Sequence, residues 1–276
     1  MSNEVHAFFD ANGRRLYAVL HHVEDRARTS LGVVLVHPFM EERKDAHPFM
    51  KSFAKRLAAA GHPCLRVDLY GCGDSAGESS DGTVPLWLDD IAAAANHLRR
   101  EAEVRDVVLL GVRYGAALAA GAAARAEAKG LCLIAPVLRG REYVLDVLRA
   151  YIASEMVLNK KAGVSREVLL ERLDRGESVN LFGYDFTPAQ RDGIVALDAP
   201  AALAAFPGPA LVVDVARTET ARESLDVAAA RTALGDRATV VRAVEPQPLH
   251  VEGKVHYVHA EGVEKALVSW MEVTFP

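Results

Sequence analysis

Along this chain of 276 residues, short β-branched and apolar runs alternate with longer stretches whose apolar positions recur at helical spacing. Glu4 to Phe9 and Arg14 to His21 are extended in pattern and joined through Asn12-Gly13, a strong hairpin signal, so they are expected at the antiparallel edge of a sheet. Gly32 to Val36, Pro63 to Val67, Val107 to Leu110, Leu131 to Ile134, Ala210 to Val215 and Ala238 to Val244 read as further strands. The inner ones are too continuously apolar to keep a solvent-facing side. Pro48 to Ala60, Pro85 to Arg99, Ala116 to Ala128, Thr220 to Ala233 and Gly262 to Met271 carry helical spacing between them. The alternation predicts a mostly parallel sheet covered by helices on both faces.

One segment breaks this rhythm. After the strand ending at Ala135-Pro136 the chain stays away from the sheet from Arg139 to about Phe206, through helical stretches at Glu142 to Leu158 and Ser165 to Arg175 and a turn-rich piece, Gly183 to Pro188. Long excursions with structure of their own are usually lids or binding loops. The expected organisation is therefore a core of residues 1–138 and 207–276, with 139–206 as a helical cap over the carboxyl ends of the strands, where open α/β sheets bind ligands. Tyr143, Leu148, Tyr151 and Met156 are the apolar side chains expected on its inner face.

The chemistry concentrates at Gly111-Val112-Arg113-Tyr114-Gly115, between a predicted strand and a predicted helix. The two glycines have the G-x-S-x-G spacing of a nucleophile elbow, the sharp turn that lifts a serine above the sheet in an α/β-hydrolase. Here the central residue is arginine, which stays protonated and has no lone pair to offer a carbonyl. The usual serine chemistry is absent or moved elsewhere. In that fold one oxyanion-hole amide lies in the loop after the first central strand, here His37-Pro38-Phe39-Met40-Glu41, and a second on the residue after the elbow, here Tyr114. Pro38 has no N–H, so Phe39 or Met40 has to donate. His37, Phe39, Met40, Glu41 and Tyr114 are thus the candidate ligand-binding residues. Arg113, Asp214 and His250 hold the three triad positions with the serine missing, and His256 and His259 compete for the place of His250. Arg113 has two readings. At a helix N-terminus it makes an anion site suited to a carboxylate, a phosphate or a phosphopantetheine. Alternatively Glu41, Glu42 or Asp214 fills its guanidinium fork internally. Asp68-Leu69-Tyr70-Gly71-Cys72-Gly73-Asp74-Ser75 reads as a structural turn in which the glycines permit positive φ and Asp and Ser bond the backbone.

Bulk properties narrow the function classes. A net charge of −5 with dispersed Lys and Arg gives no footprint for nucleic acid. No apolar stretch approaches the roughly 18 residues of a spanning helix, and the first residues lack a signal-peptide core, so a cytoplasmic protein is expected. Cys64, Cys72 and Cys132 lack metal-ligand spacing, and the three late histidines lack a positioned acidic or thiolate partner, so neither a metal nor a cofactor is expected. Oligomeric state is not legible.

In combination, Pro38-Phe39-Met40-Glu41-Glu42, the Asp68 to Gly77 loop, Trp87-Leu88-Asp89-Asp90, the Gly-x-Arg-x-Gly elbow and the piece from Gly176 to Pro188 resemble the exosortase A system-associated hydrolase 2 family, over about residues 31 to 200. The resemblance implies an α/β-hydrolase fold with a mostly parallel central sheet, flanking helices and a helical cap. It also implies a cytoplasmic protein encoded with exopolysaccharide biosynthesis and protein sorting. The resulting expectation is an ester or thioester hydrolase or acyltransferase without a nucleophilic serine. Its rivals are a catalytically silent protein that binds an anionic acyl or sugar ligand, and an interaction scaffold.

Overall fold

Asn12 and Gly13 take positive φ of 56° and 84°, the pair of left-handed residues that lets two right-twisted strands turn back on each other. They join β1 (Glu4–Ala11) to β2 (Arg14–His21) in antiparallel register. The computed structural model describes residues 4–23, 29–159, 163–245 and 260–275. After the hairpin come β3 (Leu31–Val36), α1 (Glu41–Ala59), β4 (Cys64–Val67), α2 (Val84–Glu101), β5 (Asp106–Val112), α3 (Tyr114–Ala122) and β6 (Gly130–Ile134). The sheet is completed by β9 (Ala210–Ala216), α8 (Leu225–Leu234), β10 (Ala238–Val244) and α9 (Glu261–Thr274). Its order is β1-β2-β4-β3-β5-β6-β9-β10, and every pair from β4 to β10 is parallel. The chain places β4 on one side of β3 and then crosses to β5 on the other, so the order reverses at β3. That reversal opens a crevice at the carboxyl ends of β3 and β5.

The period of two along each strand sorts side chains onto two cores. Val33 and Leu35 of β3 meet Phe49, Met50, Phe53 and Leu57 of α1 and Val263 and Leu267 of α9 on one face. Val34 and Val36 face α2, α3 and α8 on the other.

Three boundaries differ from the sequence reading. α1 starts at Glu41 and runs through Pro48, which sequence logic places at a helix start. Proline removes one helical hydrogen bond at a cost of about 3 kcal/mol, but Ala46, Phe49, Met50, Phe53 and Leu57 are buried on one stripe, and that packing keeps the helix continuous. α3 stops at Ala122, with Glu127 at φ 47° in the turn that follows. α8 begins only at Leu225, where the Ser224 hydroxyl accepts from Asp226 N–H at 3.2 Å.

Between β6 and β9 lies an insert of α4 (Gly140–Asn159), α5 (Arg166–Asp174), a hairpin of β7 (Val179–Leu181) and β8 (Tyr184–Phe186), α6 (Pro188–Ala196) and α7 (Ala199–Ala205). The hairpin falls where the sequence showed only turn signals. Thr187 and Gln190 form a reciprocal capping box at the start of α6. Gln190 Nε2 also donates to Ser79 O at 2.6 Å and Gly82 O at 3.0 Å, which ties the insert to the loop after β4. At its entry, Asp226 of α8 accepts from Leu138 N–H and Arg139 Nε, both at 3.1 Å.

Candidate functional site

Arg113 alone makes the turn from β5 to α3, at φ 54° and ψ −125°. Such a backbone costs about 1–3 kcal/mol for a residue with a Cβ and persists only where its surroundings over-determine it. Here they do. Arg113 N–H donates to Ile134 O at 3.0 Å, and its carbonyl accepts from Ala116 and Val137 N–H at 2.9 and 3.2 Å. The flanking glycines close the rest: a Cβ on Gly111 would overlap Gly115 O, and one on Gly115 would lie 2.5 Å from both the Val36 and His37 carbonyl oxygens. The elbow is thus clamped against the loop that leaves β3. Met40, at the start of α1, has nearly the same backbone, φ 50° and ψ −128°.

Because α1 begins at Glu41, Glu42 lies in its first turn and faces the elbow. Arg113 Nε and Nη2 both donate to Glu42 Oε1, at 3.1 and 3.0 Å, and Tyr143 of α4 donates its hydroxyl to Glu42 Oε2 at 3.0 Å. The Tyr143 ring stacks on Tyr114 with centroids 4.9 Å apart and planes 6° apart. Burial pulls the guanidinium pKa down, but Glu42 beside it more than offsets this and holds it above its ordinary value. Of the readings open to Arg113, the structure shows the internal pair, with Glu42 rather than Glu41 or Asp214. The Arg113 side chain is 36% exposed, so water can take over part of the pairing. Arg113→Ala is therefore expected to destabilise by about 1–2 kcal/mol, below the 3–5 of a sealed pair. Adding Glu42→Gln should cost less than the sum of the two single losses. Urea denaturation of the four proteins of the cycle measures this, and additive losses would remove the coupling.

Above the pair is a cavity of about 530 Å³, walled by Phe39, Met40, Val147, Phe182 and Tyr143 and carrying Glu41, Glu42, Asp45, Asp146 and Arg113. Phe39 and Met40 separate it from a second cavity of about 300 Å³, bounded by Arg43, the Gly71–Gly77 loop, Tyr184 and Gln190. Phe39 N–H and Tyr114 N–H donate to no backbone acceptor among the described residues.

The remaining sequence candidates are distributed as follows. Phe39, Met40 and Glu41 line the larger cavity, whereas His37 does not: it is buried behind the loop, beside a small void of about 20 Å³. The Tyr114 side chain is buried. Asp214 lies outside both cavities, because β10 brings Arg242 into register with it and Arg242 Nε and Nη2 close on Asp214 Oδ2 at 3.0 and 2.5 Å. His250, His256 and His259 fall outside the described residues. Of the expected inner face of the insert, Tyr143 lines the cavity, Leu148 is buried and Tyr151 packs edge-on against Phe182, but Met156 is 57% exposed. Asp146 and Phe182 were missed by the sequence reading. The three-residue spacing of Tyr143 and Asp146 on one helix was an available signal.

The loop after β4 is structural, as its residue types suggested. Asp68 accepts from Arg43 Nη2 at 2.5 Å and Asp74 N–H at 3.0 Å, and the Ser75 hydroxyl donates to Asp68 O at 2.5 Å while accepting from Tyr17 N–H at 2.8 Å. Burial pushes the Cys72 thiol up to about 11, so it is no thiolate at neutral pH.

Beneath this loop basic side chains are linked, with His21, His37 and Arg66 buried and His47 exposed. His21 Nε2 accepts from Arg66 Nε at 3.0 Å, Arg66 Nη1 lies 3.3 Å from His47 Nε2, and His47 stacks on His37 at 6.5 Å. Burial, then the neighbouring guanidinium, lowers His21 to about 4 and His37 to about 3. The unfolded chain takes up protons at an ordinary histidine value near 6.5 that the folded chain refuses. Stability therefore falls as pH drops from about 6.5, by about 2 kcal/mol per such histidine on reaching pH 5. Urea midpoints at pH 7 and pH 5 test this. His21→Gln should shrink the difference, and a midpoint that does not move with pH would refute it.

The family model described as Hydrolase_4, serine aminopeptidase, S33, matches residues 27–241. The chain belongs to this family. Solved structures agree with Hydrolase_4 on an α/β-hydrolase fold. Est1E from Butyrivibrio proteoclasticus, with ferulic acid bound, has a TM-score of 0.71 at 18% identity and covers 97% of this chain and 98% of its own. An esterase of Pyrococcus furiosus has a TM-score of 0.65 at 11% identity over 100% of this chain and 92% of that one. A thioesterase domain from the curacin biosynthetic pathway has a TM-score of 0.55 at 16% identity over 98% and 99%. No curated protein matches the sequence. Among the described residues, no helix is long and apolar enough to cross a membrane and no group of three or more His, Cys, Asp and Glu could hold a metal ion.

Proposed function

We propose that this chain is an α/β-hydrolase that binds a small ester or thioester in the cavity above Arg113 and has lost the acyl-serine step. The observation that carries the reading is the elbow itself. Its two close-packed glycines, its strained turn and the Phe39 and Tyr114 amides without a backbone acceptor are kept, while the residue on the turn is a guanidinium paired with Glu42. An elbow maintained at the cost of backbone strain argues that the carbonyl-binding geometry is still used. The ester and thioester chemistry in the names of the structural neighbours supports an acyl ligand. The resemblance to exosortase A system-associated hydrolases supports a ligand from exopolysaccharide assembly or protein sorting. Residues 139–206 then act as the cap, with Tyr143 as its contact to the floor.

The reading is tested with a hexanoyl thioester of N-acetylcysteamine and ligand-observed NMR. Wild-type protein should give saturation transfer to the acyl chain, and Ala150→Trp, on an exposed position of the cavity wall, should remove it. Transfer that survives Ala150→Trp, or an acylated serine peptide in the mass spectrum, would overturn the proposal.

A further inference from the structure

Two hairpins of this chain turn on a pair of residues with the same backbone but different side chains. At Asn12-Gly13 the φ angles are 56° and 84°, and at Phe182-Gly183, between β7 and β8, they are 54° and 90°. Asn and Gly suit such a turn, because the first has a short polar side chain and the second none. A bulky aromatic residue in the left-handed region is disfavoured, since its Cβ crowds the backbone, and a residue kept there against that cost points to a use for its side chain.

The hairpin is anchored without the Phe182 ring. Val179, Leu181 and Phe186 are buried beneath it, and the Phe186 ring lies 6.2 Å from that of Phe39. Asn180 Oδ1 accepts from Gly183 N–H at 3.1 Å, and Asp185 N–H donates to Ser79 Oγ at 3.2 Å. Phe182 itself is half-buried, with its ring edge-on to Tyr151 at 5.5 Å. It lines the larger cavity, whereas Gly183 and Tyr184 line the smaller one. The wall of the larger cavity includes Tyr143, Val147, Ala150 and Ser154, which recur on one face of α4. Tyr143 marks the floor through its bond to Glu42. Tyr151, where the Phe182 ring lies, is about 12 Å farther along the helix by its rise per residue. An acyl chain that starts at the elbow and runs along α4 therefore meets Phe182.

We propose that Phe182 is the chain-length selector of the acyl site, a role that rests on the reading above. Its ring ends the apolar path at medium-length chains. The disfavoured backbone is retained because asparagine, which suits the turn, would leave the path open.

The test is an NMR titration of butanoyl, hexanoyl, octanoyl and decanoyl thioesters of N-acetylcysteamine, each repeated with Ala150→Trp to confirm that binding is in the cavity. For wild-type protein, affinity should rise about fourfold per added methylene and then stop rising at a limiting length. Phe182→Asn should move that limit to longer chains and improve the longest thioester relative to the shortest by about tenfold or more. Because it gives the tip the Asn-Gly pair of the first hairpin, it should also leave Tm unchanged or raise it. Phe182→Trp should move the limit to shorter chains. A limit that stays put in both variants while binding persists overturns the selector and leaves the acyl site standing. A Phe182→Asn protein that fails to fold would show that the ring is there to hold the hairpin, and overturns it too. If no thioester shows binding that Ala150→Trp removes, both readings fall together.

Discussion

A fluorophosphonate probe is expected to leave no adduct on the wild-type protein under conditions that label a serine hydrolase to completion. These reagents need a serine whose hydroxyl is activated by a neighbouring base. The side chain on the elbow is Arg113, and its guanidinium cannot attack phosphorus. Two serines near the site are already hydrogen-bonded. Ser75 donates to Asp68 O and accepts from Tyr17 N–H, and Ser154 on the cavity wall donates to Tyr151 O at 2.9 Å. The thiols are not substitutes either, since desolvation raises the pKa of buried Cys64 and Cys132 and of half-buried Cys72. Loss of the serine alone from an intact triad costs roughly 10⁴ to 10⁶ in rate, so the contrast with an active control should exceed about 10³. Intact-mass and peptide mass spectrometry read the outcome. A stoichiometric adduct on any serine would show that a nucleophile has been relocated and would end the binding-only reading.

Gly115→Ala should lower stability by about 3 kcal/mol or more, a fall in Tm of roughly 6–12 °C, and Gly111→Ala by a similar amount. Neither glycine has positive φ, so the reason is space and not backbone freedom. The added methyl at 115 would sit 2.5 Å from two backbone oxygens of the β3 loop, and the one at 111 would meet the backbone of Gly115 and Ala116. Backbone cannot rotate away as a side chain can, so either β5 or the β3 loop has to shift, and with it the Phe39 amide. Gly163→Ala is the matched control. It adds a methyl whose nearest neighbour is 3.8 Å away and should change stability by no more than about 0.5 kcal/mol. Calorimetry on the three variants gives the comparison. Small, equal shifts for all three would mean that the elbow is not clamped as described.

What the chain determines by itself is whatever a few adjacent residues decide. Asn12-Gly13 makes its hairpin because two neighbouring residues accept positive φ, and the inner strands read as buried because side-chain alternation and β-branching act over a handful of positions. Gly-x-Arg-x-Gly marks its strand-to-helix turn for the same local reason, which made the fold and the arginine on that turn legible in the sequence. Tertiary structure decided everything that depends on partners far along the chain. Pro48 is a helix start by local rules, yet the apolar stripe of α1 packs on the sheet strongly enough to carry the helix back to Glu41. That one boundary puts Glu42 opposite Arg113, 71 positions away, and Tyr143 joins them from 101 positions beyond Glu42. Asp214 stands where a triad acid is expected, but the β9–β10 register hands it Arg242 instead. Glu41, Glu42 and Asp214 were all candidates for the same guanidinium in the sequence. An ion pair is chosen by which carboxylate the packed elements bring within hydrogen-bond reach, and that distance is set by how helices lie on the sheet, not by order along the chain.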